Sequence, residues 1–271
     1  MPDDRPPQHP LDRLLAIMAR LRSKDGGCPW DLEQTFATIA PHTIEEAYEV
    51  AEAIEAGDRA SLKDELGDLL FQVVFYAQMA REEGSFDFDA IAEAICEKMI
   101  RRHPHIFGTG KAVETAGAQL KAWETQKAEE RAAKAGAGSP PSALDGVGVG
   151  LPALTRAQKL QARAARVGFD WPEARQVLDK IEEEIGEVKA EIGACAPIDR
   201  LEDEVGDLLF ATVNLARKLS LDAESALRRG SRKFERRFHA IEAALAAQGR
   251  TPQEAGLEAM EALWVAAKEA E

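Results

Sequence analysis

An all-α fold made of two tandem helical units is predicted by three features of this 271-residue sequence. Hydrophobic residues make up 45% of it and aromatic residues only 6%, a balance rich in Ala, Leu and Glu that favours helix over sheet. Apolar residues recur three and four positions apart along most of the chain, the period of one helix face. A block of five carboxylates, Glu45, Glu46, Glu49, Glu65 and Asp68, returns as Glu183, Glu184, Glu187, Glu204 and Asp207.

Residues 1–10 read as an unstructured lead-in that opens no apolar signal segment. Leu14, Leu15, Met18 and Leu21 predict a first helix, which Gly26 and Gly27 stop ahead of a turn at Cys28–Asp31. The next helix is expected to open at Thr43, with Glu46 completing a capping box, and to run to Gly57. Ser61 with Asp64 gives the same start signal for a long helix reaching about Glu83, where Gly84 ends it. A helix over about 87–102 carries Ile91, Ile95 and Met99 and is stopped by Pro104. An amphipathic segment near Leu120–Trp123 gives way to an Ala/Gly/Ser/Pro stretch from Ala132 to Pro141 with little to bury. A flexible linker is therefore placed over 135–150, between an N-terminal unit, 1–134, and a C-terminal unit, 151–271.

The second unit repeats the plan. A helix from Leu154 to Val167 leads to a turn at Gly168–Pro172 that resembles the one at Trp30, and a glutamate-bearing helix covers about 173–192. Pro197 separates it from a helix over about 199–219, followed by one over about 222–247. The last helix opens at Thr251, with Pro252 in its first turn and Glu254 at the third helical position. Glu45, Glu46 and Glu49 recur 138 positions on, and Glu65 and Asp68 recur 139 positions on. Downstream, Lys98 and Arg102 recur at 135 as Lys233 and Arg237, and Trp123 and Lys127 at 141 as Trp264 and Lys268. The offset changes only between predicted helices, as loop insertions and deletions require.

A formal charge of −14 repels nucleic acid polymers and anionic membranes, so a polyanionic ligand needs a cation as intermediary. No apolar run reaches the roughly 18 residues of a membrane span. The three cysteines, Cys28, Cys96 and Cys195, are scattered and suggest neither a disulfide framework nor a zinc site. A cytoplasmic protein is expected.

Residues three and four apart share a helix face, so Glu45 and Glu46 approach Glu49, Glu65 approaches Asp68, and the second set does the same. Each like-charge pair costs roughly 0.2–0.5 kcal/mol when exposed and far more when buried. The apolar neighbours Ile44, Val50, Ile54, Leu66, Leu69, Leu70 and Val73 predict a partly buried face, and the mid-helix Gly67 and Gly206 predict close approach of another helix or a ligand. A single Glu-rich stretch is ordinarily a solvated helix face; two copies, each paired with a second acidic helix, favour a site. Hard carboxylate oxygens without His or Cys suit Mg²⁺, with Mn²⁺ as a substitute, and Mg²⁺ bridges to phosphates. Lys233 and Arg237, four apart on a later helix, would complete the charge neutralisation.

The two EExxE and ExxD sets, with Thr43-Ile44-Glu45-Glu46, Glu65-Leu66-Gly67-Asp68-Leu69-Leu70-Phe71, Arg101-Arg102-His103-Pro104-His105 and Lys233-Phe234-Glu235-Arg236-Arg237-Phe238, resemble the MazG nucleoside triphosphate pyrophosphohydrolases over nearly the whole chain. The resemblance implies two MazG-like helical bundles, four-helix units that associate as dimers, holding Mg²⁺ on the acid sets. It implies hydrolysis of nucleoside triphosphates to monophosphates and diphosphate, a house-cleaning role in the nucleotide pool, and activity in the C-terminal half. By that likeness Glu183, Glu184, Glu187, Glu204 and Asp207 are metal ligands and water activators, and Lys180, Lys233, Arg237, Trp264 and Lys268 bind nucleotide. Glu45, Glu46, Glu49, Glu65 and Asp68 form a second metal site whose activity stays open, because His42 stands where the second half has Lys180. A helical regulatory module that binds nucleotide or a protein without turnover is the rival reading.

Overall fold

A computed structural model describes residues 9–109, 115, 117–119, 122–123, 125–126 and 142–271. Most of the lead-in, most of the segment around Leu120–Trp123, Lys127 and the Ala132–Pro141 stretch lie outside them. The chain divides into two compact units, Met1–Gln126 and Lys127–Glu271, and among the described residues every regular element is helical.

The first unit contains α1 (Pro10–Leu21), α2 (Pro29–Glu33), α3 (Phe36–Ala56), α4 (Arg59–Glu82), α5 (Phe88–Arg102) and α6 (Pro104–Phe107). α3 and α4 form a tight hairpin, for a local reason. Gly57 adopts a left-handed φ of 72°, Asp58 N–H donates back to Ala53 O at 3.1 Å, and the Asp58 carboxylate at once caps α4 by accepting from the Ala60 and Ser61 amides. Glu49 lies eight residues before Gly57 and Glu65 seven after Asp58, so the hairpin sets the two acidic segments opposite each other. The core is Met18, Ile39, Val74, Phe75 and Met79, flanked by Leu14, Leu15, Phe71, Tyr76 and Phe88.

The second unit contains α7 (Ala153–Arg166), α8 (Ala174–Gly193), α9 (Ile198–Lys218), α10 (Ala223–Ala247) and α11 (Pro252–Glu269). α8 pairs with α9 as α3 does with α4, and α7 packs on α9 and α10. The turn here is longer, with Cys195 at a positive φ of 49° and Ala196 N–H donating to Glu191 O. The one-residue change in repeat offset falls in this turn.

Several expected boundaries move. α3 begins seven residues before Thr43, capped by Thr35, whose hydroxyl accepts from the Thr38 amide while the Thr38 hydroxyl accepts from the Thr35 amide. The Thr43 hydroxyl instead sits within bonding distance of Ile39 O and, at 2.9 Å, of the Tyr76 hydroxyl. Pro41 lies inside α3 rather than before it. α4 is capped by Asp58, not Ser61, and Cys28–Asp31, expected as a turn, contributes Pro29–Asp31 to the short α2, with Pro29 in its first turn. Gly67 and Gly206 are not sites of helix crowding, since a Cβ at either would meet nothing within 4 Å. Residues 142–150, read as part of the spacer, include Leu144 in a cavity wall and Asp145, whose carbonyl accepts from Arg163.

Candidate active site

The two hairpins gather their acids differently. In the second unit Glu184, Glu204 and Asp207 bring carboxylate oxygens within 4.8 Å of one another. Glu184 is 5% exposed, and its Oε2 is buried without a hydrogen-bond partner among the described residues. Lys180, one turn earlier, reaches Glu183 Oε1 at 2.7 Å and Glu184 Oε1 at 2.9 Å, and these bonds hold its ammonium charged well above the ordinary lysine range. Glu187 titrates above the usual carboxylate range, first because it hydrogen-bonds Glu184 and then through partial desolvation. A carboxylate–carboxylate hydrogen bond needs a proton, so this pair retains one more readily than solvated glutamates do. Glu183 is solvent-facing and engages only Lys180 among the contacts on this face.

In the first unit Glu46, Glu49 and Glu65 converge within 4.8 Å, with Asp68 close enough to repel Glu46. Glu46 is raised first by desolvation and then by Glu49 and Asp68, and Glu65 first by desolvation and then by Glu49. Gln72 Nε2 donates to Glu46 at 3.3 Å, whereas His42 approaches only Glu45, at 3.6 Å. The position of Lys180 thus has no equivalent cation on the Glu46 carboxylate.

Of the apolar residues expected to bury these acids, Val50, Leu69 and Val73 are half-buried while Ile44, Ile54, Leu66 and Leu70 are exposed, and in the second hairpin Ile185, Ile192, Val205 and Leu209 are exposed too. The residues fit a divalent cation by donor chemistry, hard oxygens only, and by the orphaned Oε2 of Glu184.

These raised carboxyls set a pH dependence. A carboxyl whose folded pKa exceeds its unfolded value destabilises the fold at pH above that raised value, and the penalty is relieved as pH falls through it. Metal-free protein is expected to show a Tm that rises as the pH is lowered from 8 toward 5. Mg²⁺ should raise Tm at pH 8, by an amount that shrinks toward pH 5. Scanning calorimetry with and without EDTA checks both, and a metal-free Tm that falls over this interval contradicts the repulsion described.

Beside the second acid set lies a cavity of about 360 Å³. Leu160, Phe169, Trp171, Phe210 and Ala211 supply most of its wall, Gln161 and Asn214 enter from α7 and α9, and Lys180, Glu184 and Asp207 stand at one end. The turn that carries Phe169 and Trp171 is tied down by ion pairs: Arg217 and Lys218 both grip Asp170, and Lys218 also donates to Trp171 O. The bonds from Arg217 hold the Asp170 carboxyl below its usual range.

In the first unit a core residue stands at the position of a cavity residue. The repeat offset of 139 puts Phe75 at the position of Asn214 and Gln72 at that of Ala211, and Phe75 packs with the fully buried Met18 of α1. Sequence reading passed over Gln161, Asn214 and Arg217, and it placed the turn at Gly168–Pro172 without giving Phe169 or Trp171 a role in a site. The available signal was the exchange of core residues Phe75 and Met79 for Asn214 and Lys218 between the halves.

Of the other expected ligands, Lys233, Arg237, Trp264 and Lys268 do not line this cavity. They lie on the α10–α11 hairpin, where the Arg237 guanidinium sits 5.3 Å over the Trp264 ring and pairs with Glu271 at 2.7 Å. Arg237 and then Arg236 depress the Glu271 carboxyl to about 2. Lys233 and Lys268 are exposed. In the first unit Trp123 donates to Arg102 O and meets His103 edge-on, which gives that histidine a packing role.

The family model of the MazG nucleotide pyrophosphohydrolase domain matches residues 34–107 and 173–241, which contain both acidic hairpins. The chain is 55% identical over 263 residues to the nucleoside triphosphate pyrophosphohydrolase of Escherichia coli strain K12, covering 96% of this chain and 98% of that protein. It is 42% identical over 258 residues to the nucleoside triphosphate pyrophosphohydrolase/pyrophosphatase MazG of Thermotoga maritima, 95% of each. A nucleoside triphosphate pyrophosphohydrolase of Mycolicibacterium smegmatis matches 62% of this chain at 36% identity.

Proposed function

We propose, for a chain that belongs to the MazG nucleotide pyrophosphohydrolase family, that the C-terminal unit hydrolyses nucleoside triphosphates to monophosphates and diphosphate. The observation that carries this reading is the buried, unpartnered Glu184 oxygen beside Glu204 and Asp207, at the end of an apolar cavity large enough to hold a flat ligand. Glu184, Glu187, Glu204 and Asp207 would hold Mg²⁺, or Mn²⁺ in its place. When bound, the ion neutralises polyphosphate charge and lowers the pKa of water.

The chain's own residues do the rest. Lys180 fixes the rotamers of Glu183 and Glu184 and keeps a positive charge beside the acids. Glu187, one turn after Glu184 on the same helix face, is suited to take the proton of the attacking water whenever its carboxylate is not engaged by the ion. Arg237 now carries a carboxylate where a phosphate oxygen would sit, and exchanging Glu271 for substrate would bring Lys233, Arg237, Trp264 and Lys268 into nucleotide binding. The acid set of the first unit, Glu45, Glu46, Glu49, Glu65 and Asp68, is assigned a metal-binding role.

Units over 1–134 and 151–271 with a linker between them, and pairing of units into a homodimer, are part of the same reading. The exposed Ile185, Ile192, Val205 and Leu209 are the surface such pairing would cover. A role in the cytoplasmic nucleotide pool accords with the acidic charge and with the lack of any described helix long and apolar enough to cross a membrane.

With Mg²⁺ and a panel of ribo- and deoxyribonucleoside triphosphates, phosphorus NMR is expected to show monophosphate and diphosphate. Diphosphate nucleosides with orthophosphate would assign a different bond, and nucleotide binding with no product would assign a regulatory module.

A further inference from the structure

Two buried amides in the cavity of the second unit have their orientations dictated by what they already bind. Gln161 is 6% exposed, and its Nε2 donates to the Phe210 carbonyl at 2.7 Å. Only an N–H can serve a carbonyl, so Oε1 is the end left over; it is buried and has no partner among the described residues. Asn214 is 4% exposed, and its Oδ1 accepts from Arg217 Nε at 3.0 Å and Nη2 at 2.6 Å. Arg217 has no acceptor to offer, so the Asn214 oxygen must face it, and the Nδ2 group is the free end. Leaving a buried carboxamide oxygen unpaired is costly, and where no polar partner is to be met a hydrocarbon serves better, as Phe75 does in the first unit at the position of Asn214.

We infer that Gln161 and Asn214 recognise the nucleobase edge: Gln161 Oε1 accepts from a base N–H, and Asn214 Nδ2 donates to a ring nitrogen or carbonyl. The inference rests on the proposed hydrolase reading and deepens it. A ligand satisfying both groups carries one donor and one acceptor on a single flat edge, which is what nucleobases present, and Phe169 and Trp171 give the cavity aromatic walls for its faces. Arg217 is the positioning residue. It fixes the Asn214 amide and, by gripping Asp170, also holds the turn that bears those aromatics.

The test compares the full chain with Asn214→Asp, which keeps the shape and the acceptor for Arg217 but removes the donor, and with Gln161→Met, which removes the acceptor. Each is expected to raise KM for ATP and CTP by about 10- to 100-fold, with kcat within about threefold, because the amides lie away from the acids. Ribose 5-triphosphate, which has no base, should show a high KM in wild type that neither variant changes further. Equal losses for ATP and ribose 5-triphosphate, or no change in either KM, would overturn the inference. Binding of α,β-methylene-ATP by calorimetry is read in parallel: a 10- to 100-fold weaker Kd in the variants supports the inference even if wild type releases no diphosphate. That last result would sink the hydrolase reading alone, and an unchanged Kd would sink the inference alone.

Discussion

Asp207→Asn or Glu184→Gln is expected to lower diphosphate release at least about a thousandfold, a loss of roughly 4 kcal/mol of transition-state stabilisation, with far-UV circular dichroism unchanged. Both substitutions keep side-chain shape and remove one charge from a group of carboxylates within 4.8 Å. Such a group is self-repelling without a cation, so metal-free Asp207→Asn should be no less stable than wild type, whereas Glu184→Gln trades that relief against loss of its ion pair with Lys180. Loss of turnover with retained or raised Tm separates a ligand role from a structural one. The paired variants Glu46→Gln and Asp68→Asn should change turnover less than about threefold. The first set lacks a counterpart of Lys180 on Glu46 among the described residues, and the core residue Phe75 stands where the second unit has the cavity residue Asn214. The reverse pattern would place the chemistry in the first unit.

Helix identity and the repeat were legible in the sequence because both are local. Three-and-four spacing marks a helix face, and the caps at Asp87, Asp222 and Thr251 stand where sequence reading places those starts. Thr43 and Ser61 misled for an equally local reason. Each matches a start signal, but Thr35 and Asp58 lie further upstream and cap first, and a hydroxyl inside a helix can bond back to the carbonyl four residues before it, as Thr43 does. The acid sets were legible as clusters, since helix geometry fixes which residues share a face. Which oxygens end up buried was not, because that depends on Lys180 reaching forward one turn and on a cavity formed by α7 against α9. Gln161 and Asn214 come from helices 49 or more residues apart in contact distance along the chain, and no spacing rule announces such a pair. The burial expected around Ile44 and Leu66 failed because helix period tells which residues share a face, not whether another helix of the unit packs on that face.

Phe75→Ala is expected to destabilise the first unit by about 3–5 kcal/mol, because Phe75 is among the largest fully buried side chains of the described residues. Phe75 is 1% exposed, and it joins Met18, Ile39, Val74 and Met79 in one cluster. It also supports an ion pair: the Arg22 guanidinium lies 5.4 Å over its ring and holds Glu82 at 2.7 Å. Truncation therefore removes dispersion contacts and a cation–π platform together, and leaves a cavity among side chains drawn from three helices. The urea midpoint should fall accordingly, with Phe75→Leu losing only about 1 kcal/mol. Diphosphate release at 20 °C should stay within about twofold of wild type, because the proposed site belongs to the other unit and Phe75 is the residue whose repeat mate, Asn214, lines the cavity there. A cost below 1 kcal/mol would mean the first unit tolerates the very void that the second unit maintains, and the contrast between a filled and an open repeat would lose its energetic basis.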